Sequence, residues 1–200
     1  MSTGMDFWFD FSSPYAYLAS EQLDALAAAH GRVVRWRPYL LGVVYRQLQS
    51  RPVTELPLKG EYFHHDVARS ARFLGLPFRP PQPFPVATQQ AARAYYLLEA
   101  KDEALARRYA HGVFRGYFLE GRNIAEETTV CAIAAEAGAD ADVLRAALAG
   151  DLPRSLLREA CEAALQAGVF GSPYVIIDGE PFWGADRLPQ IARWLESGGF

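Results

Sequence analysis

Thiols are scarce in this chain of 200 residues, with Cys131 and Cys161 its only cysteines. Each stands alone inside a predicted helix, without a second cysteine at C-x-x-C spacing or a nearby histidine cluster. That leaves no dithiol redox motif and no zinc-ligand pattern, and both read as small core residues. Long apolar runs are missing too, so no membrane span is expected, and Met1-Ser2-Thr3-Gly4 lacks the basic region and apolar core of a secretory leader. The expected location is the cytoplasm, where a Cys131–Cys161 disulfide is disfavoured. Neither sign of charge dominates: a formal net charge of -3 with interspersed signs provides no basic stripe for nucleic acid and no charged tail. No internal repeat is visible. What the chain has is apolar material, 50% of its residues, enough to bury a sizeable core in one domain or two small ones.

The stretch around which the chain is organised is Phe7-Trp8-Phe9-Asp10-Phe11-Ser12-Ser13-Pro14-Tyr15-Ala16-Tyr17-Leu18. Phe7, Phe9 and Phe11 alternate with Asp6, Trp8 and Asp10, the period of a strand with unlike faces. The alternation stops at Ser12-Ser13-Pro14, where a helix begins. Ser13 fits the N-cap and Pro14 the first helical position, which needs no N–H. Ala19, Leu23, Leu26, Ala27 and His30 carry the helical spacing to Gly31. Ser13 is therefore expected at the mouth of a strand-to-helix turn, where a positive helix end and free N–H groups favour an anion. Taken alone, the turn reads as the ordinary start of a helix.

Val33 to Pro38 reads as a second strand, and strand, helix, strand with this connection implies a βαβ unit. A long helical section follows. Leu40–Leu48 is short and helical or irregular, and Lys59–Leu74 is a helix with Phe63, Val67, Ala71 and Leu74 on one face. Pro77, Pro80, Pro81, Pro83 and Pro85 form a linker that cannot be a helix interior. Further helices are predicted over about 87–100, 103–118, 126–137 and 141–148, the last capped by Asp140. Pro153 opens another helix, running to Gly168. Tyr174–Ile177 is a fully apolar strand, Asp178-Gly179 is a hairpin signal, and Glu180–Trp183 returns antiparallel at an edge. A helix over about 188–195 ends the chain. The predicted fold class is α/β, with one mixed sheet split by a helical insertion.

That order, with a proline before the third strand, resembles the thioredoxin superfamily in its helix-inserted, disulfide-oxidoreductase A form. Four motifs are similar to 2-hydroxychromene-2-carboxylate isomerases and kappa-class glutathione transferases: Phe9 to Leu18, Leu56-Pro57-Leu58-Lys59-Gly60-Glu61-Tyr62, Phe170-Gly171-Ser172-Pro173, and Phe182 to Leu188. The resemblance spans nearly the whole chain. It implies a discontinuous thioredoxin-like domain at 1–45 and 152–200 around an inserted helical domain at 46–151. It also implies glutathione as cofactor, a homodimer, and a small aromatic molecule as second substrate.

Ser13-Pro14-Tyr15-Ala16 occupies the turn where dithiol relatives carry Cys-Pro-x-Cys, so a dithiol exchange has no sulfur to use. What remains is a helix end suited to a thiolate brought from outside. A free thiol near pKa 8.5 is only about 3% ionised at pH 7, and lowering it two units stabilises the thiolate by about 2.7 kcal/mol. By resemblance Ser13 is catalytic and holds that sulfur, with Pro14 and Tyr15 beside it. Pro173 resembles the superfamily's cis-proline, with Ser172 pairing its backbone to the glutathione peptide. Asp186, after Trp183, Gly184 and Ala185, would hold the γ-glutamyl amine or cap the last helix. Lys59 and Tyr62 would meet a glutathione carboxylate. Ser50 stands near the position of a family Asn, a departure at that contact.

His64-His65 beside Asp66 reads as a surface pair, since adjacent helical residues point apart, and Trp36, Tyr95, Tyr96 and Tyr117 read as core. The expected reaction is a glutathione-dependent cis-trans isomerisation of 2-hydroxychromene-2-carboxylate or a similar conjugated aromatic 2-oxo acid. A kappa-like transferase or peroxidase is the alternative, and a non-catalytic binding module of the same fold is a further one.

Overall fold

A computed structural model describes residues 4–200, so Met1, Ser2 and Thr3 of the N-terminal stretch considered above lie outside the described residues. β1 (Gly4–Phe9), α1 (Pro14–Ala29) and β2 (Val33–Pro38) form the opening unit, and α2 (Leu41–Gln47) follows. The helical section is α3 (Lys59–Phe73), α4 (Gln89–Glu99), α5 (Glu103–Phe118), α6 (Glu127–Glu136) and α7 (Ala141–Leu148). α8 (Leu152–Gln166), β3 (Tyr174–Ile177), β4 (Glu180–Trp183) and α9 (Leu188–Ser197) close the chain. The strands run β2-β1-β3-β4, with β1 parallel to β2 and antiparallel to β3, and β3 antiparallel to β4. Among the described residues no helix is long and apolar enough to cross a membrane.

β1 departs from the unlike faces its alternation implies. Phe7, Phe9 and Phe11 are buried, and so are Trp8 and Asp10. The reason is position: β1 is an inner strand, so layers cover both its faces, and only Asp6 keeps the outward role, pairing with Arg35 and Arg37 of β2. Trp8 lies under the Arg37 guanidinium, 5.4 Å from its ring centre. On the other face Phe9 meets Trp36 edge-on at 5.4 Å and tilts against Phe114 of α5 at the same separation.

The inserted helices share this core. α4 is fastened to β2 through two phenols, Tyr95 donating to the Trp36 carbonyl at 3.2 Å and Tyr96 to the Pro38 carbonyl at 2.7 Å. Tyr39, just past β2, donates to the Gly171 carbonyl at 2.7 Å, tying that strand end to the turn before β3. The Asp178-Gly179 hairpin has both residues at positive φ, 53° and 96°, the backbone a two-residue hairpin turn demands. The 45/46 division expected between domain and insertion falls inside α2.

Candidate active site

Ser13 is the N-cap of α1: its hydroxyl accepts from the Ala16 N–H at 3.2 Å and donates to the Ser172 carbonyl at 2.9 Å. Pro14, at the first helical position, has no N–H, and Tyr15, at the second, has no acceptor inside the helix. The turn therefore presents a hydroxyl and a helix end to the cleft while staying largely covered, Ser13 being 7% exposed. Ala16, in the first turn of α1, is fully buried.

The turn opposite is held from several sides. Ser172 and Pro173 are joined by a cis peptide bond, and the Ser172 hydroxyl accepts from the Asp10 N–H at 2.9 Å. The Pro173 carbonyl accepts from the Gly184 N–H at 3.1 Å, which docks the Gly184-Ala185-Asp186 segment beside Ser13. Gly171 lies against the Trp183 indole so closely that a Cβ there would overlap the ring as it stands, which favours glycine at this position. Gly184, at φ 115°, adopts backbone that other residues rarely reach. Asp186 lies in a 3-10 turn (Ala185–Arg187) and does not cap α9; its carboxylate is three-quarters exposed, with the Arg187 guanidinium 3.5 Å away.

The third wall is α3. Gly60 brings this helix against the Thr54 carbonyl, where a Cβ would stand only 2.7 Å from the oxygen, and so sets Lys59 at the cleft. Lys59 has no carboxylate within ion-pair distance among the described residues. One turn on, the Tyr15 phenol donates to Asp66 at 2.6 Å, Tyr62 reaches the same carboxylate at 3.3 Å, and Arg69 binds both Asp66 and the Tyr62 oxygen. Burial and the Asp66 carboxylate hold the Tyr15 phenol well above its usual range; its proton stays on. His64 and His65 are exposed, as expected of a surface pair.

Ser13, Pro14, Tyr15, Lys59, Tyr62, Ser172, Pro173, Trp183, Gly184, Ala185 and Asp186 all line one cleft of 1650 Å³. Ser50 is not among its lining residues. It sits exposed past α2, its N–H bonded to the Tyr45 carbonyl, between the lining residues Arg46 and Pro52.

One residue escaped the sequence reading. Asp10, assigned there to an outward face, is buried, and its carboxylate accepts from the Ser12 N–H and hydroxyl, the Leu41 N–H and the Thr88 hydroxyl at 2.8–3.0 Å. Burial pushes this carboxyl up and its donors pull it down, with an upward balance. Asp10 thus joins the β1–α1 turn, the start of α2 and the start of α4 at one point. The available signal was a carboxylate between two phenylalanines of an inner strand.

The family profile described as the DSBA-like thioredoxin domain matches residues 5–196. The chain belongs to this family. Its relatives include the 2-hydroxychromene-2-carboxylate isomerase of Sphingobium xenophagum, 28% identical over 197 residues that cover 98% of this chain and 99% of the relative. Another is glutathione S-transferase kappa 2 of Caenorhabditis elegans, 26% identical over 202 residues, 94% of this chain and 90% of that one. Among solved structures, a 2-hydroxychromene-2-carboxylate isomerase superposes with a TM-score of 0.87 at 27% identity, covering 96% of this chain and 94% of that one. This DSBA-like chain therefore carries the thioredoxin fold with its helical insertion, and its relatives include both isomerases and glutathione transferases.

Proposed function

We propose that this protein is a glutathione-dependent isomerase acting on 2-hydroxychromene-2-carboxylate or a similar conjugated aromatic 2-oxo acid. The observation that carries the reading is the convergence on one cleft of the Ser13 helix end, the unpaired Lys59 ammonium and the exposed Asp186 carboxylate. Glutathione combines a thiol, an amine and two carboxylates, and this donor set meets each kind of group. Lys59 would hold a carboxylate, Asp186 the γ-glutamyl amine, and Tyr62 would add a phenol beside Lys59. Pro14, Trp183, Gly184 and Ala185 would form the surrounding walls, and the Ser172 backbone would pair with the peptide. The Ser172 carbonyl already accepts from Ser13, yet a carbonyl has a second lone pair.

When bound, glutathione supplies a thiolate that adds transiently to the conjugated system and leaves again after rotation, without net redox. Ser13 acts by turning its hydroxyl proton from the Ser172 carbonyl to the sulfur, and the α1 N-terminus adds its positive end. By resemblance the protein works as a cytoplasmic homodimer.

The experiment is to mix pure protein, the hydroxychromene acid and glutathione while following the substrate's spectrum and titrating free thiol. Glutathione-dependent conversion with thiol conserved supports the reading. Conversion that consumes thiol favours the second one, a kappa-like transferase or peroxidase, to which the Caenorhabditis elegans relative points. No glutathione-dependent change, together with no glutathione uptake in calorimetry, overturns both.

A further inference from the structure

The chain has 10 tyrosines. Among the described residues, every one but Tyr45 and Tyr174 bonds its hydroxyl to a carbonyl or a carboxylate of the fold. Of these two, only Tyr45 lines the cleft. It is half-buried, yet its ring does not pack on the hydrophobic core as that of Tyr15 does. Neither core packing nor a hydrogen bond within the fold accounts for this side chain.

Its place is set through Asp10. That carboxylate accepts from the Leu41 N–H at 2.8 Å, which pins the start of α2 to the β1–α1 turn, and from the Ser12 N–H at 2.8 Å, one residue before Ser13. Tyr45 follows Leu41 by four residues, so the two share a face of α2, with a rise of about 6 Å between them. A helical side chain leans toward the turn before its own, which carries the phenol back toward Asp10 and the Ser13 turn. Burial first, and then the Asp10 and Glu55 charges, hold the phenol above its usual range, so at neutral pH it keeps its proton and can donate.

Addition of a thiolate to a conjugated 2-oxo acid puts charge on the substrate's own oxygen. As the sulfur–carbon bond forms, the π pair of the attacked double bond moves through the conjugation to the carbonyl oxygen. As that bond breaks, the pair returns, and no electron or proton is left over. We propose that Tyr45 is a catalytic residue of this reaction, its phenol donating a hydrogen bond to the substrate oxygen that becomes negative. Resting on the glutathione-dependent reading above, this divides the chemistry between two hydroxyls: Ser13 faces the sulfur and Tyr45 the oxygen. The bond is stronger to a charged oxygen than to a neutral carbonyl, so it lowers the barrier more than it tightens substrate binding. The proton stays on the phenol throughout.

The test is Tyr45→Phe, which removes a hydroxyl that no group of the fold uses, with chemical denaturation as the check on folding. The turnover number is expected to fall about ten- to hundredfold and KM for the acid to move by less than about threefold, while glutathione affinity, read by calorimetry, stays as in wild type. A readout without turnover uses para-nitrophenol, whose colour reports its ionisation. Titrated into protein saturated with S-methylglutathione, its anion is expected to bind wild type about tenfold more tightly than Tyr45→Phe. Wild-type turnover in Tyr45→Phe, equal affinity of the two proteins for the nitrophenolate, or a parallel fall in glutathione affinity overturns the proposal. Absence of any glutathione-dependent conversion by wild type removes the reading on which it rests, and the role of Tyr45 with it.

Discussion

Replacing Ser13 separates two roles carried by one oxygen. That oxygen accepts from the Ala16 N–H at 3.2 Å and donates to the Ser172 carbonyl at 2.9 Å. Alanine at an N-cap costs about 1 kcal/mol, and the lost bond to Ser172 about 1 kcal/mol more, so Ser13→Ala is expected to lose about 2 kcal/mol of unfolding free energy. Glycine at an N-cap costs only a few tenths of a kcal/mol, so Ser13→Gly should be the more stable of the two variants. Their effect on the thiol should be equal. To meet a thiolate the hydroxyl gives up a neutral bond worth about 1 kcal/mol for a charge-assisted one worth about 1.5–3 kcal/mol. The net is about 0.5–2 kcal/mol, close to one pKa unit. A bound thiol with a pKa of about 6.5 would then move to about 7.5, cutting the thiolate about threefold at pH 7 and about eightfold at pH 6. The assay is a pH titration of the bound thiolate's ultraviolet absorbance, with chemical denaturation run in parallel. A wild-type thiol pKa in both variants would refute the hydroxyl-to-sulfur bond, whatever happened to stability.

Tyr15→Phe removes the 2.6 Å bond that holds α3 to α1; glutathione affinity, read by calorimetry, should fall by about threefold to tenfold, the worth of about one hydrogen bond. Asp10→Asn replaces one carboxylate oxygen by an amide N–H₂, which must face either the Leu41 N–H or the Ser12 and Thr88 donors, and denaturation should show a loss of about 1–3 kcal/mol. His111 lies between Glu21, 3.5 Å from its Nδ1, and Asp24, 4.0 Å from its Nε2. Burial works against its charge, but the two carboxylates raise its pKa above 6.5, while His111 and Arg115 bring Glu21 down to about 2. Because the folded His111 pKa is raised, its stabilisation is complete below about pH 6.5 and fades as pH climbs through the folded value. Glu21 contributes in the opposite sense, fully above about pH 4.5 and lost as pH falls toward about 2. Denaturation midpoints of His111→Gln should therefore lack the decline that wild type shows above about pH 6.5; the same decline in both would refute the assignment.

The framework was legible because its signals are local. Ser13-Pro14, Asp140 and Asp178-Gly179 each act within a few residues, and caps and turn stand where spacing puts them. Asp10 was misassigned because its burial is decided by strand order, which brings β3 to one side of β1 and Thr88 from a segment 78 residues away. The Tyr15–Asp66 bond, 51 residues apart, is likewise set by how α3 packs over α1 and leaves no mark in either segment alone. Ser50 was placed by resemblance to a family Asn, and it lies exposed past the end of α2.

The same geometry supports the proposed use of a thiol brought from outside. Neither Ser13 nor the buried Ala16, at the start of α1, carries a sulfur. Cys161 is buried, its sulfur accepting from the Leu40 N–H at 3.4 Å, and burial pushes its thiol up, as it does that of Cys131. Neither sulfur lines the cleft, and a thiol pushed up by burial is a poor nucleophile at neutral pH. The helix end that in a dithiol protein would lower a cysteine pKa is nonetheless intact, its N-cap oxygen and the neighbouring cis-proline turn both in place. On the proposed reading, a helix end without a sulfur of its own takes the thiolate of a bound ligand, and Lys59 and Asp186, which both line the cleft, would favour one borne on a zwitterionic peptide over a simple thiol.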